Sequence, residues 1–106
     1  MTFIMHRGAL RLTLLKNSKR TSVRLTFSEF LIIEEMLSNQ GEHLTKQHLL
    51  NIGWPNSCVC DNALNMTIMS LRKKLLKLGE GGEIITIHRI GYAFIYSNDK
   101  NDESCT

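Results

Sequence analysis

The sequence predicts an α+β domain made of a small N-terminal antiparallel sheet, three helices and a C-terminal β-hairpin. Three observations carry that expectation. Residues 61–78 place Leu64, Ile68, Leu71, Leu75 and Leu78 in one narrow stripe when they are wound at the helical period. The first 25 residues alternate weakly at period two, and two β-rich runs close the chain after a Gly-rich break.

Each element follows from local chemistry. Phe3 and Met5, then Leu10, Leu12 and Leu14, recur at period two, which argues short strands. Asn17, Ser18 and Lys19 mark a turn, and Val23 to Leu25 resumes a strand. Thr26-Phe-Ser-Glu29 is a capping-box pattern, in which hydroxyl and carboxylate satisfy the free amides of a helix start. Phe30, Ile33, Met36 and Leu37 then recur at helical spacing, and Gly41 ends the segment.

A shorter helix is expected from Thr45, with Leu49, Leu50 and Ile52 directed to the core. Gly53, Trp54 and Pro55 end it, because a proline disfavours helix in the residue before it and lacks the amide hydrogen. The loop 55–60 leads to Asp61, a good cap for the long helix. Gly79, Gly81 and Gly82 separate that helix from strands Ile84 to Ile87 and Tyr92 to Tyr96, with a tip at residues 88–91. In that tip Gly91 is expected to supply a positive φ, and Tyr92 to pack into the core with Trp54. Helix, helix, loop, long helix and hairpin is the order of a winged helix-turn-helix, the hairpin being the wing.

Length and charge bound the function. A chain of 106 residues makes one domain, assigned here to residues 1–97 with a polar tail at 98–106. The 13 Lys and Arg exceed the 10 Asp and Glu by three, a mildly basic balance that is unevenly spread. Arg7, Arg11, Lys16, Lys19, Arg20 and Arg24 precede any acid, whereas Glu29, Glu34, Glu35 and Glu42 occupy a span free of Lys and Arg. Such asymmetry orients a protein on a polyanion, although solvated faces explain the N-terminal charges equally well.

Cys58, Cys60 and Cys105 are odd in number, no secretory segment precedes Met5, and no apolar run reaches the roughly 18 residues of a membrane span. A cytoplasmic setting is expected, with a membrane anchor only if the chain continues past Thr106. Zinc is not expected, since Cys58 and Cys60 are separated by one residue and no second pair joins His43 or His48. The Gly79 to Gly82 cluster follows a helix, so it does not form a phosphate loop. No nucleophile, base and acid constellation can be assembled from the spacing. No cofactor and no enzymatic activity are expected.

Against the leucine stripe, the long helix directs Asn62, Met66, Met69, Ser70, Lys73 and Lys77 outward, with Arg72 and Lys74 flanking. No acid follows Asp61 in the helix, so this face offers donors and positive charge. Duplex DNA is the expected partner, because its major groove admits one such helix.

From Leu25 to about Ile95 the chain resembles the DNA-binding domain of OmpR/PhoB-type regulators, most of all the ToxR/CadC-like branch. The resemblance rests on LTFSEFLIIEEML, GEHLTKQHLL, the Trp54-Pro55 helix end, IMSLRKKL and ITIHRIGYAF, in that order and spacing. It implies a two-component-like transcription regulator that inserts the long helix into the major groove and sets the hairpin near a minor groove. It also implies that loop 55–60 is shown to RNA polymerase and that a homodimer forms on DNA. No receiver domain fits in the chain.

Several relatives carry Arg where this chain has Asn62 and Met69. An amide pairs with adenine and a thioether with a thymine methyl, so an A·T-rich site is expected. The wing tip reads His88-Arg89-Ile90-Gly91, its basic register shifted from the Arg-Gly of response regulators. Base readout is assigned to Asn62, Asn65, Met66 and Met69, and phosphate positioning to Arg72, Lys73, Lys77 and Lys46. Wing contacts are assigned to Thr86, His88 and Arg89. His88 has an alternative reading as a partly buried polar residue, and Met66 and Met69 as the contact surface of a protein-interaction module without DNA readout.

Overall fold

A computed structural model describes residues 2–16, 18–57, 59–78 and 82–95. Asn17, Cys58, Gly79, Gly81, Tyr96, Cys105 and the tail 98–106 lie outside them. The first sheet holds β1 (Thr2–His6), β2 (Arg11–Lys16) and β3 (Lys19–Arg24), antiparallel in that order. Met5, Leu12 and Val23 align across it, and Leu12 and Leu14 are buried on the inner face. Leu10 departs from the expected alternation. It lies in the turn before β2 with φ 50°, in the left-handed region.

α1 (Phe27–Ser38) begins with the expected capping box: the Glu29 amide donates to Thr26 Oγ1 at 3.2 Å and the Thr26 amide to Glu29 Oε1 at 2.8 Å. Phe30, Ile32, Ile33 and Met36 are buried beneath it. After the helix, Gly41 takes φ +83° and its amide donates to the Phe94 carbonyl at 2.9 Å. Its freedom to adopt that angle is what lets the chain turn back toward the hairpin.

A two-residue strand, β4 (Leu44–Thr45), precedes α2 (Lys46–Gly53). Thr45 thus caps the helix, accepting from the His48 amide at 3.1 Å, rather than opening it. Leu49 and Leu50 are buried, while Ile52 is only half-buried. A Cβ on Gly53 would stand 2.9 Å from the Ile32 side chain, so glycine allows α2 to close on α1.

α3 (Asp61–Leu78) starts at Asp61 itself, and the Ala63 amide bonds to the Cys60 carbonyl at 3.0 Å. Asp61 is therefore a first-turn acid facing the positive helix end, not the cap. The stripe Leu64, Ile68, Leu71, Leu75 and Leu78 is buried throughout, as the periodicity requires.

β5 (Glu83–Ile87) and β6 (Gly91–Ile95) form the hairpin, and β6 lies between β4 and β5 in the second sheet. Gly91 does not carry the positive φ; Arg89 does, at 65°. Gly91 is required for a different reason. A Cβ there would lie 1.9 Å from the Leu44 carbonyl oxygen, so only glycine lets β4 pair with β6. Tyr92 is buried in the common core, against whose edge Trp54 packs. Phe3 and Phe94 meet edge to face at 5.8 Å, joining the two sheets. Among the described residues, no helix is long and apolar enough to cross a membrane.

Candidate nucleic-acid interface

α3 presents three distinct flanks besides its buried stripe. With successive residues roughly 100° apart, Asn65 and Arg72 fall on one side and Ser70 and Lys74 on the other. Asn62, Met66, Met69, Lys73 and Lys77 lie between them. The contacts follow this division.

The first flank is fastened to the hairpin. Arg72 donates from Nε to the Ile84 carbonyl at 3.1 Å and from Nη2 to Thr86 Oγ1 at 2.8 Å, with its guanidinium 5.9 Å from the Tyr92 ring centroid. The Tyr92 hydroxyl donates to Asn65 Oδ1 at 2.8 Å. These bonds place the hairpin tip beside the N-terminal half of α3, since Tyr92 immediately follows Gly91.

The second flank is fastened to α1. Lys74 Nζ donates to Glu29 Oε1 at 2.5 Å, and Ser70 also hydrogen-bonds the Glu29 carboxylate. Burial raises the Glu29 pKa, but the bonds from Lys74, Ser70 and the Thr26 amide together with the Lys74 charge outweigh it and hold the carboxyl below its ordinary value.

The middle remains open along its length. Asn62, Met66, Met69, Lys73 and Lys77 are exposed, with Met66 at 58% and Met69 at 52% of full exposure. The hairpin tip continues that surface with His88, Arg89 and Ile90, all exposed. The Ile90 amide closes the turn on the Ile87 carbonyl at 2.9 Å, and the Lys46 amide holds the Ile90 carbonyl at 3.0 Å, so the tip is braced from α2.

The expected residues thus separate. Exposure of His88 rules out the partly buried alternative. Ser70 is half-buried and turned to Glu29, and does not share the outward face with Lys73 and Lys77. Arg72 and Thr86 are bonded to each other, and Asn65 to Tyr92, so these three hold helix and wing together. Lys46 is half-buried at the start of α2. The tie between Lys74 and Glu29 was not anticipated; the signal was available only as a lone acid four residues after Leu25 and a lysine on the stripe's edge. Cys60 is exposed, and no group of metal-ligating side chains occurs among the described residues.

The described fold is shared with known proteins. The DNA-binding domain of the response regulator AdeR, solved in complex with an intercistronic region, superposes with a TM-score of 0.77 at 24% identity, covering 88% of this chain and 93% of that one. The DNA-binding domain of Escherichia coli CadC gives a TM-score of 0.70 at 20% identity over 89% and 90% of the two chains. Both likenesses establish the fold alone.

In sequence, the chain is 38% identical over 77 residues to the transcriptional regulatory protein DltR of Streptococcus agalactiae, which covers 72% of this chain and 34% of that protein. The chain therefore matches about a third of the length of its curated relatives. The family model described as "Transcriptional regulatory protein, C terminal" matches residues 19–94, from β3 through β6, and the chain accordingly belongs to this OmpR/PhoB-type family.

Proposed function

We propose that this domain binds double-stranded DNA in a sequence-specific manner and regulates transcription, with α3 in the major groove and the hairpin against the adjacent minor groove. One observation carries the reading. Between two bonded flanks, α3 keeps open a stripe of amide, thioether and ammonium groups that runs toward a cationic hairpin tip. A helix held rigidly on both sides with donors outward suits a groove lined by acceptors and bounded by phosphates.

Lys73 and Lys77 then neutralise phosphates, and Lys46 lies near enough to the tip's support to add to them. Asn62 pairs with adenine, and Met66 and Met69 cover thymine methyls, which favours A·T-rich sites. Arg89 suits the narrow minor groove of such tracts. The resemblance further supports a second copy on the same duplex and contact of loop 55–60 with RNA polymerase.

Changing Lys73 and Lys77 together to Glu tests the reading. The variant should lose duplex binding while its melting temperature stays near wild type, because exposed substitutions seldom cost more than about 0.5 kcal/mol. Undiminished binding by the folded variant would remove α3 from the interface. The exposure of Met66 and Met69 also favours a second reading, a protein-interaction surface built on adaptable side chains. Salt separates the two. DNA affinity falls steeply with salt, and a methionine-centred protein contact does not.

A further inference from the structure

The two asparagines of the α3 face differ in what their amides have left to offer. Asn65 Oδ1 accepts the Tyr92 hydroxyl at 2.8 Å, which fixes the amide with its oxygen toward the hairpin. Its Nδ2 group makes no hydrogen bond among the described residues, although the side chain is exposed. Reading adenine with an amide requires oxygen and nitrogen together, one accepting from the exocyclic amine and the other donating to N7. Asn65 has its oxygen turned to the hairpin, with one lone pair engaged there, and its donors free.

Position on the helix points the same way. Asn65 shares its flank with Arg72, one side of the stripe formed by Asn62, Met66, Met69 and Lys73. When a helix lies in the major groove, its central stripe faces base edges and its flanks face the walls, where phosphates lie.

We infer that Tyr92 is a positioning residue, whose hydroxyl holds Asn65 as a donor to a backbone phosphate and takes that amide out of base readout. Asn62, one turn earlier on the central stripe, is then the asparagine that reads a base. The inference rests on the proposed DNA-binding reading and refines it. It also explains why a buried tyrosine ring sends its hydroxyl to a residue on the exposed side of α3: the hydroxyl satisfies itself and orders the amide in one bond.

Affinity for a duplex selected from a random pool, and for its single base-pair variants, provides the test, with wild type, Tyr92→Phe, Asn65→Ala and the double variant compared. Asn65→Ala should weaken binding by about tenfold or more on every sequence, as the loss of one hydrogen bond to a charged phosphate does. Its salt dependence should not change, because a neutral amide releases no counterion. Tyr92→Phe should weaken binding by a similar factor and add nothing in the Asn65→Ala background. In wild type the Asn65 Nδ2 proton resonances should shift when the duplex is added.

A loss confined to one base pair would make Asn65 a base reader and overturn the inference. So would additive effects of the two substitutions, or Nδ2 resonances that stay in place on binding. Because Asn65 is exposed, Asn65→Ala keeps the test decisive even if Tyr92→Phe does not fold. Failure of the wild-type protein to select any duplex is a different result, which would overturn the DNA reading itself and this inference with it.

Discussion

Glu29 links three parts of the molecule through one side chain. Its carboxylate closes the capping box of α1, accepts from Lys74 and Ser70 of α3, and is almost fully buried. A buried charge of this kind is tolerable only because every contact is charge-assisted or from a backbone amide. Its pKa is lowered on folding, so the stability it contributes is present above its unfolded value, near the ordinary 4.5, and is lost as pH falls through the lower folded value. Glu29→Gln keeps the capping box but not the charge. At neutral pH this variant should be less stable than wild type by about 1–2 kcal/mol, and the gap should close as acid protonates Glu29. Urea melts of both proteins from neutral pH to below 4.5 would show this; a gap that stayed constant would mean that the carboxylate charge contributes nothing. Sequence alone identified Glu29 as half of a capping box, since that pattern is local. It could not identify the Lys74 partner, which lies 45 residues away and is brought near only by the packing of α3 on α1.

The same contrast runs through the elements. The phase of α3 was legible because five buried side chains share a single period, and all five are buried as expected. β4 was not, because two residues carry no periodicity; it exists only because β6 offers it an edge. Gly91 was recognised as necessary but for the wrong cause: its role is close approach to Leu44, whereas the left-handed angle falls to Arg89. Of the candidate site, the exposed stripe of α3 followed from its own period. The withdrawal of Ser70, Arg72, Thr86 and Asn65 into intramolecular bonds depended on neighbours distant in sequence. Two pairs of substitutions probe this level. Leu71→Ala should cost roughly 2–5 kcal/mol by leaving a cavity, whereas Met69→Ala should leave stability nearly unchanged and lower DNA affinity. Equal unfolding costs would mean a different rotation of the helix. In the hairpin, Gly91→Ala should cost about 3 kcal/mol, since backbone must move to admit the methyl group, while Arg89→Gly should be well tolerated because glycine accepts positive φ. Reversal of that order, measured by denaturant unfolding, would show that β4 does not pair with β6 in solution.

Across the whole molecule, charge is distributed so that α1 neutralises its own neighbours and leaves the N-terminal sheet positive. Glu29 pairs with Lys74 and Glu34 with Arg7, while Glu35 is hydrogen-bonded to His48 Nε2 at 2.7 Å, which engages three acids of α1. The strand register then sets Arg11 directly opposite Arg24 and next to His6 on the other side, and all three side chains are exposed. Like charges facing one another across strands, as Arg11 and Arg24 do, are destabilising by roughly 0.2–1 kcal/mol, and an exposed pair is screened by salt. The two arginines add to the positive field that draws a polyanion toward the domain, even where they make no contact with it. Arg11→Gln keeps most of the side chain over the sheet and removes the repulsion. The variant should therefore unfold at a slightly higher urea concentration than wild type at low salt, by about 0.5 kcal/mol in stability, and the two should converge as salt rises. Its association with DNA should be modestly slower at low salt, with dissociation unchanged. A variant less stable than wild type at low salt would mean that Arg11 stabilises the sheet by packing, and that the repulsion between β2 and β3 is too weak to count.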